Sequence, residues 1–182
     1  MTVVTIHPKG ETATDIKPGD FILTGVKGQG LVSLAIKAGS FLRGYDKPFR
    51  RFSHTALIVS ENGMIAEAVS KGVVFDDITR FEDDDYVVVH TEVDDHDRDQ
   101  VLSFANAVVD AKTRYGFLTF AGLAIYCLTG GGLCIQAAGT AICSGFVSDA
   151  LTRAGFIWER PPYAMMPADL AKHFNVTWAP GE

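Results

Sequence analysis

Two residues whose types suit nucleophilic catalysis, Cys143 and His54, stand far apart in the chain. Apolar residues recur at helical spacing from Cys143 to Ala154, which predicts that the cysteine lies in the first turn of a helix. There, unpaired backbone N–H groups and the helix dipole favour a thiolate and can hold an oxyanion. His54 opens an apolar strand and can serve as the base. Taken singly, a cysteine at a helix start is more often buried and inert, and a lone histidine is more often a surface or core residue with a structural role.

Glu67 is the candidate for the group that orients His54. The Asn62-Gly63 pair predicts a hairpin turn between a strand that ends at Val59 and a return strand that starts at Met64. A four-residue loop makes Glu67 a diagonal neighbour of His54 on one face of the sheet, within reach of its side chain. A three-residue loop turns Glu67 to the other face, so Ser70 and Glu61 stay open as alternatives.

Three motifs around these residues resemble the NlpC-type papain-like cysteine peptidases. The motifs are Cys143-Ser144-Gly145-Phe146-Val147 with Ala154-Gly155-Phe156, then Pro18-Gly19-Asp20-Phe21-Ile22, and His54-Thr55-Ala56-Leu57-Ile58-Val59 with Ile65-Ala66-Glu67-Ala68. In the usual family the cysteine helix comes first. Here it comes last, an order that resembles the circularly permuted YiiX/YaeF-like branch. A permutation preserves a site when the original ends lie close together.

The resemblance implies a single permuted papain-like domain over residues 1–182, of the α+β class. Its central antiparallel sheet would pack against the nucleophile helix. The implied activity is cleavage of an amide or ester through an acyl-enzyme thioester, with the triad Cys143, His54 and Glu67 and with no metal or organic cofactor. The sequence does not separate a hydrolase from an acyltransferase. A catalytically silent binding module and a peptidoglycan peptide amidase or endopeptidase are the alternatives.

The residue before the cysteine departs from the cell-wall enzymes of this family, which usually carry an acidic side chain there. This chain has Ile142. An apolar lining disfavours charged peptide ends, so the sequence favours a small-molecule, peptide or lipid-like acyl substrate other than a free-amine muropeptide. The residues expected to contact it are Ile142, Ser144, Asp20 and Tyr115.

Composition limits the class of protein. A chain of 182 residues with 47% hydrophobic and 21% charged residues is typical of one globular domain. The net charge of −6 leaves no basic footprint for nucleic acid. Three cysteines are too few for a disulfide framework, and the N-terminus lacks a signal-peptide pattern, so a cytoplasmic location is the default expectation. Export by a signal-free route stays open.

One uncharged stretch, residues 115–148, complicates that expectation. Its apolar core, 117–128, is shorter than the roughly 20 residues of a membrane-spanning helix. Three glycines follow it. The pattern favours a buried helix and a glycine-rich loop, and the alternative is contact with a membrane surface through 115–135.

The remaining elements are expected to surround the site. Periodicity predicts helices over 31–42, 97–112, 143–154 and 167–174, with Asp94 or Asp95 as the cap of the second. Strands are predicted over 21–23, 52–59, 64–69, 72–78 and 86–92, and an edge strand over 176–178. Strands in the middle with flanking helices indicate an antiparallel α+β arrangement.

Overall fold

The computed structural model describes residues 3–25, 30–115 and 140–177. Within these ranges the chain is a mixed α+β structure with a six-stranded antiparallel sheet and four α-helices. The strands of the sheet are β1 (Val3–His7), β2 (Phe21–Thr24), β3 (His54–Ile58), β4 (Met64–Val69), β5 (Gly72–Asp77) and β6 (Tyr86–His90). The helices are α1 (Gly30–Leu42), α2 (Asp95–Asp110), α3 (Cys143–Thr152) and α4 (Pro167–His173). Short 3₁₀ turns cover Phe49–Arg51, Ile78–Phe81 and Pro162–Ala164.

The sheet has the strand order β1-β6-β2-β3-β4-β5. The four residues of β2 are all buried, as expected of a short apolar strand with neighbours on both edges. Two further strands, β7 (Arg114–Tyr115) and β8 (Thr140–Ala141), form a separate parallel pair. This pair brings the chain to the start of α3.

The β3–β4 hairpin has the four-residue loop considered from the sequence. Leu57 pairs with Ala66 and Ile58 with Ile65, and the Val59 N–H donates to the carbonyl of Met64 across 2.9 Å. Gly63 closes the turn with a φ of 92°, a left-handed conformation that glycine adopts without strain. A Cβ on Gly63 would also lie 2.9 Å from Ile78, so a larger residue would disturb both turn and packing.

Helix α3 packs its apolar side on β3 and β4, as expected from the Phe146, Val147, Ala150 and Leu151 spacing. Ile142 is its N-cap, and the Ile142 carbonyl accepts the Phe146 N–H at 2.8 Å. Gly145 allows the carbonyl of Pro162 to approach, because a Cβ there would lie only 3.1 Å from that oxygen. The N-terminus of the helix is thus held between the sheet and the segment that precedes α4.

Some sequence expectations need correction, one is confirmed, and others concern residues outside the described ranges. Strand β1 was not expected, since its alternation is broken and only its pairing with β6 makes it a strand. The edge strand expected over 176–178 is not formed at Val176 and Thr177, and residue 178 lies outside the described residues. The apolar helix over 117–128, the glycine-rich loop and the membrane-contact segment 115–135 also lie outside them, apart from the backbone of Tyr115. Asp94 is the cap of α2.

Candidate active site

Cys143 is the first residue of α3 and is only 4% exposed. Burial raises the pKa of its thiol. A hydrogen bond and the charge of His54 lower it, as do the backbone N–H groups of Thr55 and Ser144, and together they leave the pKa below the ordinary cysteine value. A lone buried thiol would show the opposite shift, so the surroundings of Cys143 are those of a stabilised thiolate.

His54 begins β3, opposite Thr24 at the end of β2. Its Nε2 lies 2.6 Å from Oε2 of Glu67, and its ring lies 6.1 Å from that of Phe81. Because Nε2 is engaged by the carboxylate, Nδ1 is the nitrogen left for the sulfur of Cys143. The imidazole is therefore fixed between an acceptor on one side and a thiol on the other.

Glu67 lies in the middle of β4 and is fully buried. Continuing the hairpin register places Ala56 opposite Glu67, and hence His54 diagonal to it on the same face. The structure therefore gives the geometry expected for Glu67. Of the two alternatives, Glu61 is exposed in the hairpin loop and Ser70 is exposed in the turn that follows β4.

A fourth charged group, Arg80, was missed from the sequence. Its Nη1 forms an ion pair with Oε1 of Glu67 and a second one with Asp76 at 2.9 Å. No motif marks this arginine. Its contact with Glu67 is apparent only in the folded structure, because the 3₁₀ turn after β5 brings the chain back beside β4.

The residues expected to contact the substrate differ in how they lie relative to Cys143. Ile142 is buried at the start of α3, beside Gly145. The side chain of Ser144 does not face the site: its hydroxyl donates to the carbonyl of Met165 at 2.7 Å, whereas its backbone N–H bonds to the Cys143 sulfur. The backbone of Tyr115 pairs with Ala141, two residues before the cysteine, and its side chain lies outside the described atoms.

Asp20, which is also expected to contact the substrate, lies at the other end of the sheet from His54. It precedes β2 beside Ile58, four residues along β3 from His54, which is about 13 Å at the usual rise of a strand. Its carboxylate is buried and binds Nδ1 of His90 at 2.9 Å. The Pro-Gly-Asp motif thus holds a turn and supplies no side chain to the cluster at Cys143.

A scan against models of protein families gives no match, and neither does a search of curated proteins. In the described part of the chain, no helix combines the length and the apolar character needed to cross a membrane.

Proposed function

We propose that the chain is a cysteine-nucleophile hydrolase or acyltransferase that cleaves an amide or ester through an acyl-enzyme. We further propose that its domain is a circularly permuted papain-like fold of the NlpC type. The proposal rests on one arrangement of three residues. The Cys143 thiol lies at a helix N-terminus, has a lowered pKa and is hydrogen-bonded to His54, whose other ring nitrogen binds the buried carboxylate of Glu67. These are the parts that nucleophilic acyl transfer requires.

In the acylation step, the Cys143 thiolate attacks the carbonyl carbon of the substrate and the carbonyl oxygen becomes an oxyanion. The N–H group of Cys143 lies in the first turn of α3, where N–H groups lack a backbone acceptor within the helix, and it can stabilise this charge. The protonated His54 then gives its proton to the leaving amine or alcohol as the carbon–heteroatom bond breaks. A thioester on Cys143 remains.

In the second step, water or an acceptor alcohol or amine attacks the thioester. His54 takes the proton from the attacking group, and collapse of the oxyanion releases the acyl product and the cysteine. Glu67 orients the imidazole throughout and stabilises its charged form. Hydrolysis and acyl transfer differ only in the group that attacks, so the same residues serve both.

Position 142 supports an acyl substrate that lacks a free amine beside the scissile bond. Ile142 is 3% exposed and apolar, so it offers no charge to pair with an ammonium group. We expect turnover of short acyl esters or N-acyl amino acids and poor turnover of muropeptides. Efficient cleavage of muropeptides alone would show that the substrate class is wrong.

The test of the activity is direct detection of the acyl-enzyme. The purified chain is mixed with a short p-nitrophenyl acyl ester, and its intact mass is followed with time. We expect an added acyl mass on Cys143 that disappears with neutral hydroxylamine, as a thioester does. The Cys143→Ala variant should gain no mass.

A second tube with an added amine or alcohol acceptor separates the two reaction types, because an acyltransferase forms the acceptor ester or amide faster than free acid. If the folded wild-type chain forms no acyl-enzyme with any ester or amide tested, the site is not a catalytic one. A binding function for the same cleft would then replace the proposal.

A further inference from the structure

Arg80 joins the candidate site to the surface of the protein. It lies in the 3₁₀ turn Ile78–Phe81, and its side chain is 34% exposed, with the guanidinium 5.6 Å from the centre of the Phe81 ring. On its inner side it pairs with Glu67, and on its outer side with Asp76, whose side chain is 45% exposed. The result is an unbroken chain of groups, Asp76, Arg80, Glu67, His54 and Cys143.

The burial of Glu67 makes a permanent cation necessary. A carboxylate with no exposed surface is stable in its charged form only when it is paired and hydrogen-bonded. His54 cannot be that permanent partner, because its proton moves to and from substrate in each step. Arg80 keeps its charge across the whole accessible pH range.

We propose that Arg80 is a positioning residue of this site, which keeps Glu67 ionised and oriented toward His54 and thereby sets the pH range in which the thiolate–imidazolium pair exists. The proposal rests on the function proposed above for Cys143 and His54. Arg80 itself touches neither the thiol nor the reacting atoms, so it acts through Glu67.

The expected direction follows from the charges that face His54. Glu67 from β4 and the Cys143 thiolate from α3 are negative, Arg80 is the positive group beside Glu67, and Asp76 from β5 lies beyond it. Without Arg80, the buried Glu67 loses its permanent cation and takes up a proton, because an unpaired charge with no exposed surface costs more than a neutral carboxyl group. A neutral Glu67 no longer stabilises the charged imidazole that pairs with the Cys143 thiolate, so the thiolate should form only at higher pH. The acidic limb of a pH–activity curve should therefore move to higher pH.

The experiment measures the rate of Cys143 alkylation by iodoacetamide from about pH 5 to pH 9, a range that spans a lowered thiolate pKa. In Arg80→Gln we expect the alkylation curve to move to higher pH. The rate at pH 6 should fall about three- to tenfold, since a shift of one pKa unit is a tenfold change in the thiolate fraction. Arg80→Lys, which restores the charge, should recover most of the rate. Turnover of an acyl ester, where present, should show the same shift.

Two controls separate this role from a structural one. Arg153 also lies over a phenylalanine ring, that of Phe104 at 5.0 Å, so Arg153→Gln removes a matched cation and should leave the curve unchanged. Asp76→Asn removes only the outer partner and should change the rate less than twofold, as expected of a partly exposed ion pair.

A double-mutant cycle keeps the proposal testable if Arg80→Gln folds poorly. With Glu67→Gln already present, the further change Arg80→Gln should have little effect on alkylation, because the carboxylate that Arg80 serves is gone. An unchanged pH curve in folded Arg80→Gln, or equal losses in Arg153→Gln, would overturn the role of Arg80. Failure of acyl-enzyme formation instead concerns the proposed activity, since the alkylation curve needs no substrate.

Discussion

Two histidine–carboxylate pairs occupy opposite ends of the same sheet. At one end His54 binds Glu67 at 2.6 Å and also meets Cys143. At the other end His90 binds Asp20 through Nδ1 at 2.9 Å, and its Nε2 lies 2.7 Å from the hydroxyl of Thr5. By residue type and distance alone, each group consists of a nucleophile, a base and a carboxylate that orients the base.

The difference lies in the third member of each group. Cys143 begins a helix, and although burial raises the pKa of its thiol, the hydrogen bond and charge of His54 and the N–H groups of Thr55 and Ser144 bring that pKa below the ordinary cysteine value. Thr5 is an exposed residue inside β1, and a secondary hydroxyl is a far weaker acid than a thiol. The Asp20 carboxylate also accepts the N–H groups of Lys17 and Thr91, so this second group fastens loops and strands together. The local field at the nucleophile distinguishes a reactive site from a structural one.

The largest effect that separates the two ends is expected for Cys143→Ala. It should abolish iodoacetamide labelling at about pH 6 and reduce any acyl turnover by at least ~1,000-fold, as loss of a nucleophile does. Thr5→Ala should change neither, and a fluorophosphonate probe should not mark Thr5. Peptide mass spectrometry assigns the label among Cys127, Cys134 and Cys143. Equal labelling of the three thiols, or a phosphonylated Thr5, would contradict the comparison.

His54→Ala should give the next largest effect. It removes the interactions that hold the pKa of the Cys143 thiol down, while the burial that raises it remains. The alkylation curve should therefore move to higher pH, and the rate at pH 6 should drop about 10- to 100-fold, which corresponds to one or two pKa units. His90→Ala is the matched control and should leave the curve in place. A curve that is the same in His54→Ala and wild type would show that the thiol is activated by the helix alone.

Local patterns were enough to predict several strands and helices of the α+β structure. The Asn62-Gly63 turn and the apolar alternation predicted the β3–β4 hairpin, and the helical spacing after Cys143 predicted α3. The hairpin register then gives the Glu67–His54 contact, because it fixes which side chains share a face. These features depend on short-range geometry, which the sequence carries directly.

Long-range features were harder to predict. Arg80 reaches Glu67 only because a 3₁₀ turn follows β5, and β1 is a strand only because it pairs with β6, about 80 residues away in the sequence. The sequence Pro18-Gly19-Asp20 precedes β2, but its position relative to Cys143 depends on the direction in which β2 crosses the sheet. Ser144 is expected to contact the substrate, and in the structure its hydroxyl donates to the carbonyl of Met165, since successive helical residues point to different sides.

Glu67→Ala should give an intermediate effect on turnover at the end of the sheet that holds His54 and Cys143. The imidazole loses its orienting acceptor, so turnover should fall by more than tenfold while the circular dichroism spectrum stays that of the folded chain. The exposed Ser70 is the control, and Ser70→Ala should keep nearly full turnover. Full activity in Glu67→Ala would remove Glu67 from the mechanism and leave Cys143 and His54 in place.

The smallest effects are expected at the end of the sheet that holds His90 and Asp20, and they should appear only in the free energy of unfolding. Asp20→Asn keeps the shape of a buried side chain but removes the charge that binds His90 and two backbone N–H groups, so the free energy of unfolding should fall by about 1–3 kcal/mol. Thr5→Val removes one hydrogen bond at an exposed strand and should cost less than about 1 kcal/mol. Urea unfolding measures both changes, and the alkylation rate of Cys143 measured on the same samples should match wild type. The decisive observation is that stability changes while the reactivity of Cys143 does not. A loss of thiol reactivity in folded Asp20→Asn would mean that the two ends of the sheet are coupled. The distinction between a structural end and a reactive end would then have to be abandoned.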